Sequence, residues 1–255
     1  MVSGRVCALD VHPDIASSHF RQGLLMGTSA WTYTLLPVLA AVIGAAVAVN
    51  SRPGPTLVSA IQHLAAGVVF AAAAGEILPD VMHRGSPWAT AIGGAIGVVV
   101  MLSVKQLERW AKGPAGLLAA IAIDMLIDGL VLGIGFSAGP KVGLLLTIAL
   151  TIEVLFLGLT VANELGETVR SRAKIVGITA GLVLLLPIGA LLANPIGALP
   201  GPVVTGFFAF GLVALLYLVT EELLIEAHET PDRPWVTAMF FAGFLALLLL
   251  GEAIG

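Results

Sequence analysis

Residues 117–136 read LLAAIAIDMLIDGLVLGIGF, and in these twenty positions only Asp124 and Asp128 carry charge. A run of about 20 apolar residues is the length that crosses the hydrocarbon of a bilayer as one helix. A second stretch, 144–162 (LLLTIALTIEVLFLGLTVA), repeats the pattern with Glu153 as its sole charge. An uncompensated acid is costly in hydrocarbon, so each of the three marks a cation or proton site by default.

Working outward, the whole chain has the same character. It is 58% hydrophobic and 11% charged over 255 residues, with a mean hydropathy of +1.02, far from the roughly one-quarter charged residues of soluble domains. Apolar runs fall at about 31–49, 57–79, 88–104, 115–136, 142–163, 175–193, 203–224 and 235–254. Their separators are short and rich in helix breakers, such as NSRPGP, HRGSP, SAGPK and NPIGALPGP. The runs lack the strict alternation of a membrane barrel. The expected fold is an all-α integral membrane protein of eight spans, with 31–255 as one transmembrane domain and 1–30 as an extracytoplasmic N-terminal segment. No basic head followed by a short apolar core opens the chain, so no cleavable signal is expected. The single Cys7 excludes an intrachain disulfide. A net charge of -4, thinly spread, gives no nucleic-acid surface.

The twelve basic residues set an orientation. With eight spans, Arg52, Lys105, Arg109, Lys112, Arg170, Arg172, Lys174 and Arg233 fall on one side. Arg84, Lys141, Arg5 and Arg21 fall on the other. The positive-inside rule makes the first side cytoplasmic and places both termini outside. The expected location is an inner or plasma membrane. In this topology spans one to three run opposite to spans six to eight. Span two ends in Glu76-Ile77-Leu78-Pro79-Asp80 and span seven in Glu222-Leu223-Leu224-Ile225-Glu226. Each pair of acids shares a helical face, an echo that fits the inverted repeats on which many transporters are built.

Asp124 and Asp128 lie one turn apart on a single face of span four. Two carboxylates so close cannot both stay ionised in a dry site without a cation or water. A divalent ion bridging them, with Glu153 of span five as a third ligand, resolves the repulsion. The alternative is protonated acids bonded to backbone or to hydroxyls such as Thr147 and Thr151.

These residues resemble the Zrt/Irt-like (ZIP) metal transporters. Ala65-Ala66-Gly67 through Leu78-Pro79-Asp80 is similar to their second span. Asp124-Met125-Leu126-Ile127-Asp128-Gly129 is similar to the His-Asn-x-Pro-Glu-Gly run of their fourth, and Tyr217 through Glu229 to the end of their seventh. The resemblance implies a 3+2+3 helical bundle, a homodimer, and passage of divalent metal into the cytoplasm through a site between spans four and five. Here Asp124 replaces the family's His, Met125 its Asn, Ile127 its Pro and Asp128 its Glu, and only Glu153 remains in span five. No histidine is left at mid-depth. A site of Asp124, Asp128 and Glu153, with Met125 as a further ligand, is harder than one containing imidazole. Zinc, manganese, ferrous iron and magnesium all stay open as cargo, and no resident cofactor is implied.

Glu76, Glu222, Glu226 and His228 are candidates for the route to and from the site, the last three at the inner end with Glu221 and Glu229; the alternative is a solvated surface acid at Glu76 and a solvated helix end for the others. His63 reads as an interfacial anchor, with assistance of release as the alternative. Asn163, Glu164 and Glu167 read as a solvated helix end, and His12 and His19 as weak capture candidates. Gly93, Gly94 and Gly97 read as helix-packing positions, and Trp31, Trp88, Trp110 and Trp235 as interfacial anchors. Two other functions remain: a proton-coupled carrier of another solute, and a ZIP-like membrane protein without transport. No nucleophile–base pair or metalloprotease helix motif points to an enzyme.

Overall fold

The computed structural model describes residues 30–51, 53–110, 114–231 and 233–254. The N-terminal segment with Cys7, His12 and His19 lies outside these residues, as do Arg52 and Lys112. Eight helices are long and apolar enough to cross a membrane: α1 (Ala30–Ser51), α2 (Pro55–His83), α3 (Pro87–Leu107), α4 (Ala115–Ala138), α5 (Pro140–Gly166), α6 (Arg172–Ala198), α7 (Gly201–Ala227) and α8 (Pro234–Ile254). No strand occurs among the described residues. The helices run a few residues past the apolar stretches, because the breaker segments also supply their first turns. Pro55, Pro87, Pro140 and Pro234 each open a helix, where a missing N–H costs nothing. Gly85, with φ of 64°, turns the chain between α2 and α3. The helical backbone satisfies its own polar groups, which hydrocarbon demands.

The helices associate as tight pairs. α1 packs on α5 and α4 on α6, while α2 packs on α8 and α3 on α7. Contacts of α4 with α5 and of α2 with α5 join the pairs. Exchanging α1 with α6, α2 with α7, α3 with α8 and α4 with α5 leaves the four pairs and the α4–α5 contact unchanged, and turns the α2–α5 contact into an α4–α7 contact that also occurs. The helix pairing thus has the exchange that an inverted repeat implies. Both α2 and α7 contain a π-helical turn, at Ala73–Ile77 and Leu218–Leu223, and these two helices are partners in the exchange. The start of α2 lies on the end of α7, where the Ser59 hydroxyl donates to the Ala227 carbonyl at 2.7 Å. The two helices thus run in opposite senses.

Lipid tails are as apolar as leucine, so close backbone approach must hold these pairs together. Glycines make it possible. A Cβ on Gly44 of α1 would strike the Leu155 carbonyl of α5, and one on Gly158 would strike Ala41 in return. The α4–α6 crossing has the same reciprocal form, with Gly129 against Leu186 and Gly189 against Leu126. Gly67 and Gly243 do likewise between α2 and α8. Gly93 lies on the Gly206 backbone and Gly97 on Val213, the packing role expected of that glycine group.

Gly67→Ala and Gly129→Ala should each destabilise the bundle by about 1–3 kcal/mol, the usual cost of overpacking. Gly75→Ala, where an added Cβ meets nothing within 4 Å, should be close to neutral. Thermal unfolding of the three purified variants, followed by size-exclusion chromatography in detergent, checks the contrast.

Candidate metal centre

α4 and α5 pack against each other, and this contact brings the three span-centre acids together. Asp124 is 7% exposed, Asp128 3% and Glu153 2%. Each offers a carboxylate oxygen, and these oxygens all lie within 4.8 Å of one another. Among the described residues this is the one group of three or more His, Cys, Asp or Glu close enough to hold an ion. Asp128 Oδ2 and Glu153 Oε2 are buried with no hydrogen-bond partner. An ionised carboxylate left in that state is strongly unfavourable.

The hydroxyls of Thr147 and Thr151 donate elsewhere. Thr147 Oγ1 donates to the Gly143 carbonyl at 2.7 Å, and Thr151 Oγ1 to the Thr147 carbonyl at 2.6 Å. Both are spent on their own helix one turn back, a common retreat for a hydroxyl in an apolar span. Neither threonine donates to an acid, as the alternative of protonated acids bonded to these hydroxyls would have allowed. Met125 is fully buried and packs within the apolar core.

A cavity of about 30 Å³ borders the acids, lined by Asp124, Glu153, Phe156, Leu157, Leu218, Glu222, Leu223 and Glu226. Thus α7 contributes Glu222 and Glu226 to the same space. The π-helical turn at Leu218–Leu223 carries Glu222. Turns of this type interrupt helices frequently at functional sites. Glu226 is held by Gln62 of α2, whose Nε2 donates to Glu226 Oε2 at 2.8 Å. Gln62 drew no attention in the sequence, where nothing marks it apart from its polarity. Beside Glu222, the exposed Glu221 pairs with Lys105 of α3 at 2.7 Å.

Of the other candidates, Glu76 is half-buried in the π-helical turn of α2. It faces α8, since a Cβ on Gly251 would sit 3.4 Å from Glu76 Oε1. From His63 to Glu76 along α2 is about 20 Å at helical rise, so Glu76 stands well away from the α7 acids. His228 lies in an open pocket of about 430 Å³ with Thr220, Leu224, Ile225 and Glu229. His63 is only 1% exposed. It is packed against the end of α7 and does not sit at the surface, which corrects the expectation of an interfacial anchor. Asn163 and Glu164 are exposed. Trp31, Trp88, Trp110 and Trp235 are exposed near helix ends.

No protein-family model matches the chain. Among curated proteins it is similar to the zinc transporter ZIPB of Bordetella bronchiseptica, at 28% identity over 141 residues. That match covers 53% of this chain and 44% of the relative, so it spans less than half of the transporter's length. With eight helices of membrane-crossing length among the described residues, the chain is a multi-pass membrane protein that is similar to this transporter over about half of its own length.

Proposed function

We propose that the protein carries divalent metal cations across a cell membrane into the cytoplasm, through a carboxylate site formed by Asp124, Asp128 and Glu153 between α4 and α5. The observation that carries this is the meeting of three buried carboxylates whose ligand oxygens lie within 4.8 Å of one another. Oxygens on opposite sides of one ion, each at about 2.0–2.6 Å from it, stand about 4–5 Å apart. The spacing suits one divalent cation. A zinc transporter among the similar proteins supports metal as the cargo, and a carrier accounts for the site better than an enzyme does.

The size of the adjoining cavity, about 30 Å³, favours an ion over an organic solute. That is room for about one water or one stripped ion. Glu222 and Glu226 border the same cavity and offer the next oxygens along the path. By the distribution of basic residues this end faces the cytoplasm, so the α7 acids would take the ion on release. Glu76, toward the opposite end of α2, would meet it on the outer side. The bundle would alternate access by moving the helices that hold the centre against those that flank it, as transporters built from inverted repeats do.

The donor set speaks to the choice of metal. Oxygen-only sites suit manganese, magnesium and other hard ions, whereas imidazole favours zinc, copper, iron and nickel. Manganese and ferrous iron therefore stand beside zinc as cargo.

Three outcomes test the reading. In proteoliposomes, Asp124→Asn and Asp128→Asn should each lower Mn²⁺, Fe²⁺ and Zn²⁺ flux by about tenfold or more, since loss of even an outer-shell partner costs a metal site 10–100-fold. Flux of every ion unchanged in both variants removes these residues from the mechanism and with them the proposed site. Wild-type flux should fall as the outer solution is acidified below neutral. Carboxylates bind metal in the deprotonated form and protons compete for them; a flux that rises on acidification contradicts the scheme. Finally, Glu153→His should shift preference from Mn²⁺ toward Zn²⁺, read as the ratio of the two initial rates.

A further inference from the structure

The contact between the start of α2 and the end of α7 holds two histidines that the carboxylate centre does not use. His63 and His228 have ring centres 5.1 Å apart, with their planes inclined at 57°. His63 is 1% exposed, and its Nε2 is buried with no hydrogen-bond partner. Its other nitrogen, Nδ1, lies 2.9 Å from the Ser59 carbonyl oxygen one turn back. A carbonyl only accepts, so Nδ1 carries the hydrogen and the neutral ring presents a lone pair at Nε2. His228 is arranged in the same way, with Nδ1 on the Leu224 carbonyl. Its neutral ring likewise has Nε2 as the lone-pair nitrogen.

Pinning one ring nitrogen to a backbone carbonyl is how proteins orient a histidine that ligates metal through the other. Two such rings from different helices meet here, and the separation fits a shared ion. With metal–nitrogen bonds of about 2.1 Å and a tetrahedral angle, the centres of two imidazoles on one zinc lie about 5 Å apart. A stacked pair without an ion would leave the buried Nε2 of His63 as an unsatisfied acceptor, which folded proteins seldom tolerate. Glu226, two residues before His228 on α7, accepts from Gln62, the residue before His63 on α2, at 2.8 Å, so an acid lies on the same helix contact as the two rings. Access is open on the other side, where His228 borders the wide pocket with Glu229.

We propose that His63 and His228 form a second metal-binding site, at the α2–α7 contact, for a borderline divalent ion of the zinc or copper class. Water, or Glu226 after a change of rotamer, completes the coordination. The site differs in kind from the carboxylate centre: its imidazoles favour the ions that an all-oxygen centre discriminates least well against harder competitors. It holds whether or not the carboxylate centre transports metal.

Cu²⁺ is the probe, because nitrogen sites bind it more tightly than other divalent first-row ions. The full chain in detergent is loaded with one equivalent, and electron-spin-echo modulation from the imidazole nitrogens is recorded. Asp124, Asp128 and Glu153 contribute no nitrogen, so the modulation reports on histidine alone. The chain has five histidines. The expected pattern is two coordinated imidazoles in the wild type and in the His12→Gln/His19→Gln/His83→Gln variant. It should drop to one or none in both His63→Asn and His228→Asn. Asparagine keeps an N–H near the place of Nδ1 and removes only the far nitrogen, so the local helix bonding survives. Fewer than two imidazoles in the wild type overturns the proposal, as does their loss in the triple variant or their persistence in His63→Asn or His228→Asn. Should either asparagine variant fail to fold, the wild-type and triple-variant spectra decide alone.

Discussion

Mutual repulsion among three buried carboxylates is the constraint around which the bundle is arranged. Asp124, Asp128 and Glu153 approach within 4.8 Å at the α4–α5 contact, and two of their oxygens have no hydrogen-bond partner. Burial removes the water that would screen the charges, and the neighbouring threonines give their hydroxyls to their own backbones. The arrangement is tolerable with protons on the acids or with a positive ion among them. Competition between those two solutions is what a carrier of cations requires, because the same oxygens must bind the cargo and give it up.

Holding the acids at this spacing falls to helix pairs with no hydrophobic force between them. Glycine-backed crossings of α1 with α5 and of α4 with α6 lock the two helices that carry the acids. The equivalent crossings of α2 with α8 and α3 with α7 form the flanking pairs. The paired π-helical turns of α2 and α7 fit this scheme. Each widens the helix at the turn that bears an acid, and one of them brings Glu222 to the cavity beside Asp124 and Glu153.

Two coordination chemistries then occupy one side of the bundle. The inner centre has oxygen donors only, whereas the α2–α7 contact brings together two imidazoles. In the proposed scheme, an ion leaving the first by way of Glu222 and Glu226 would next reach the end of α7 that bears the second. Affinities that differ by metal type at two successive positions let a path discriminate among ions without a single tight, slow-releasing site.

The amino-acid sequence by itself determined the number of spans, their approximate positions and the three acids at their centres. Hydropathy, length and proline position are local properties, and any charge inside an apolar run is conspicuous. Glu222 and Glu226 were visible as acids near a helix end, yet a solvated terminus would look the same. Only the packing of α7 against the α4–α5 pair assigned them to the cavity. Gln62 and His63 carry no local mark of their place, since a polar residue near the start of a span also suits an interface. Their meeting with Glu226 and His228 depends on two helices distant in the chain running in opposite senses side by side. Distances across such contacts are set by how glycines let backbones approach, and no stretch of either helix read alone contains them.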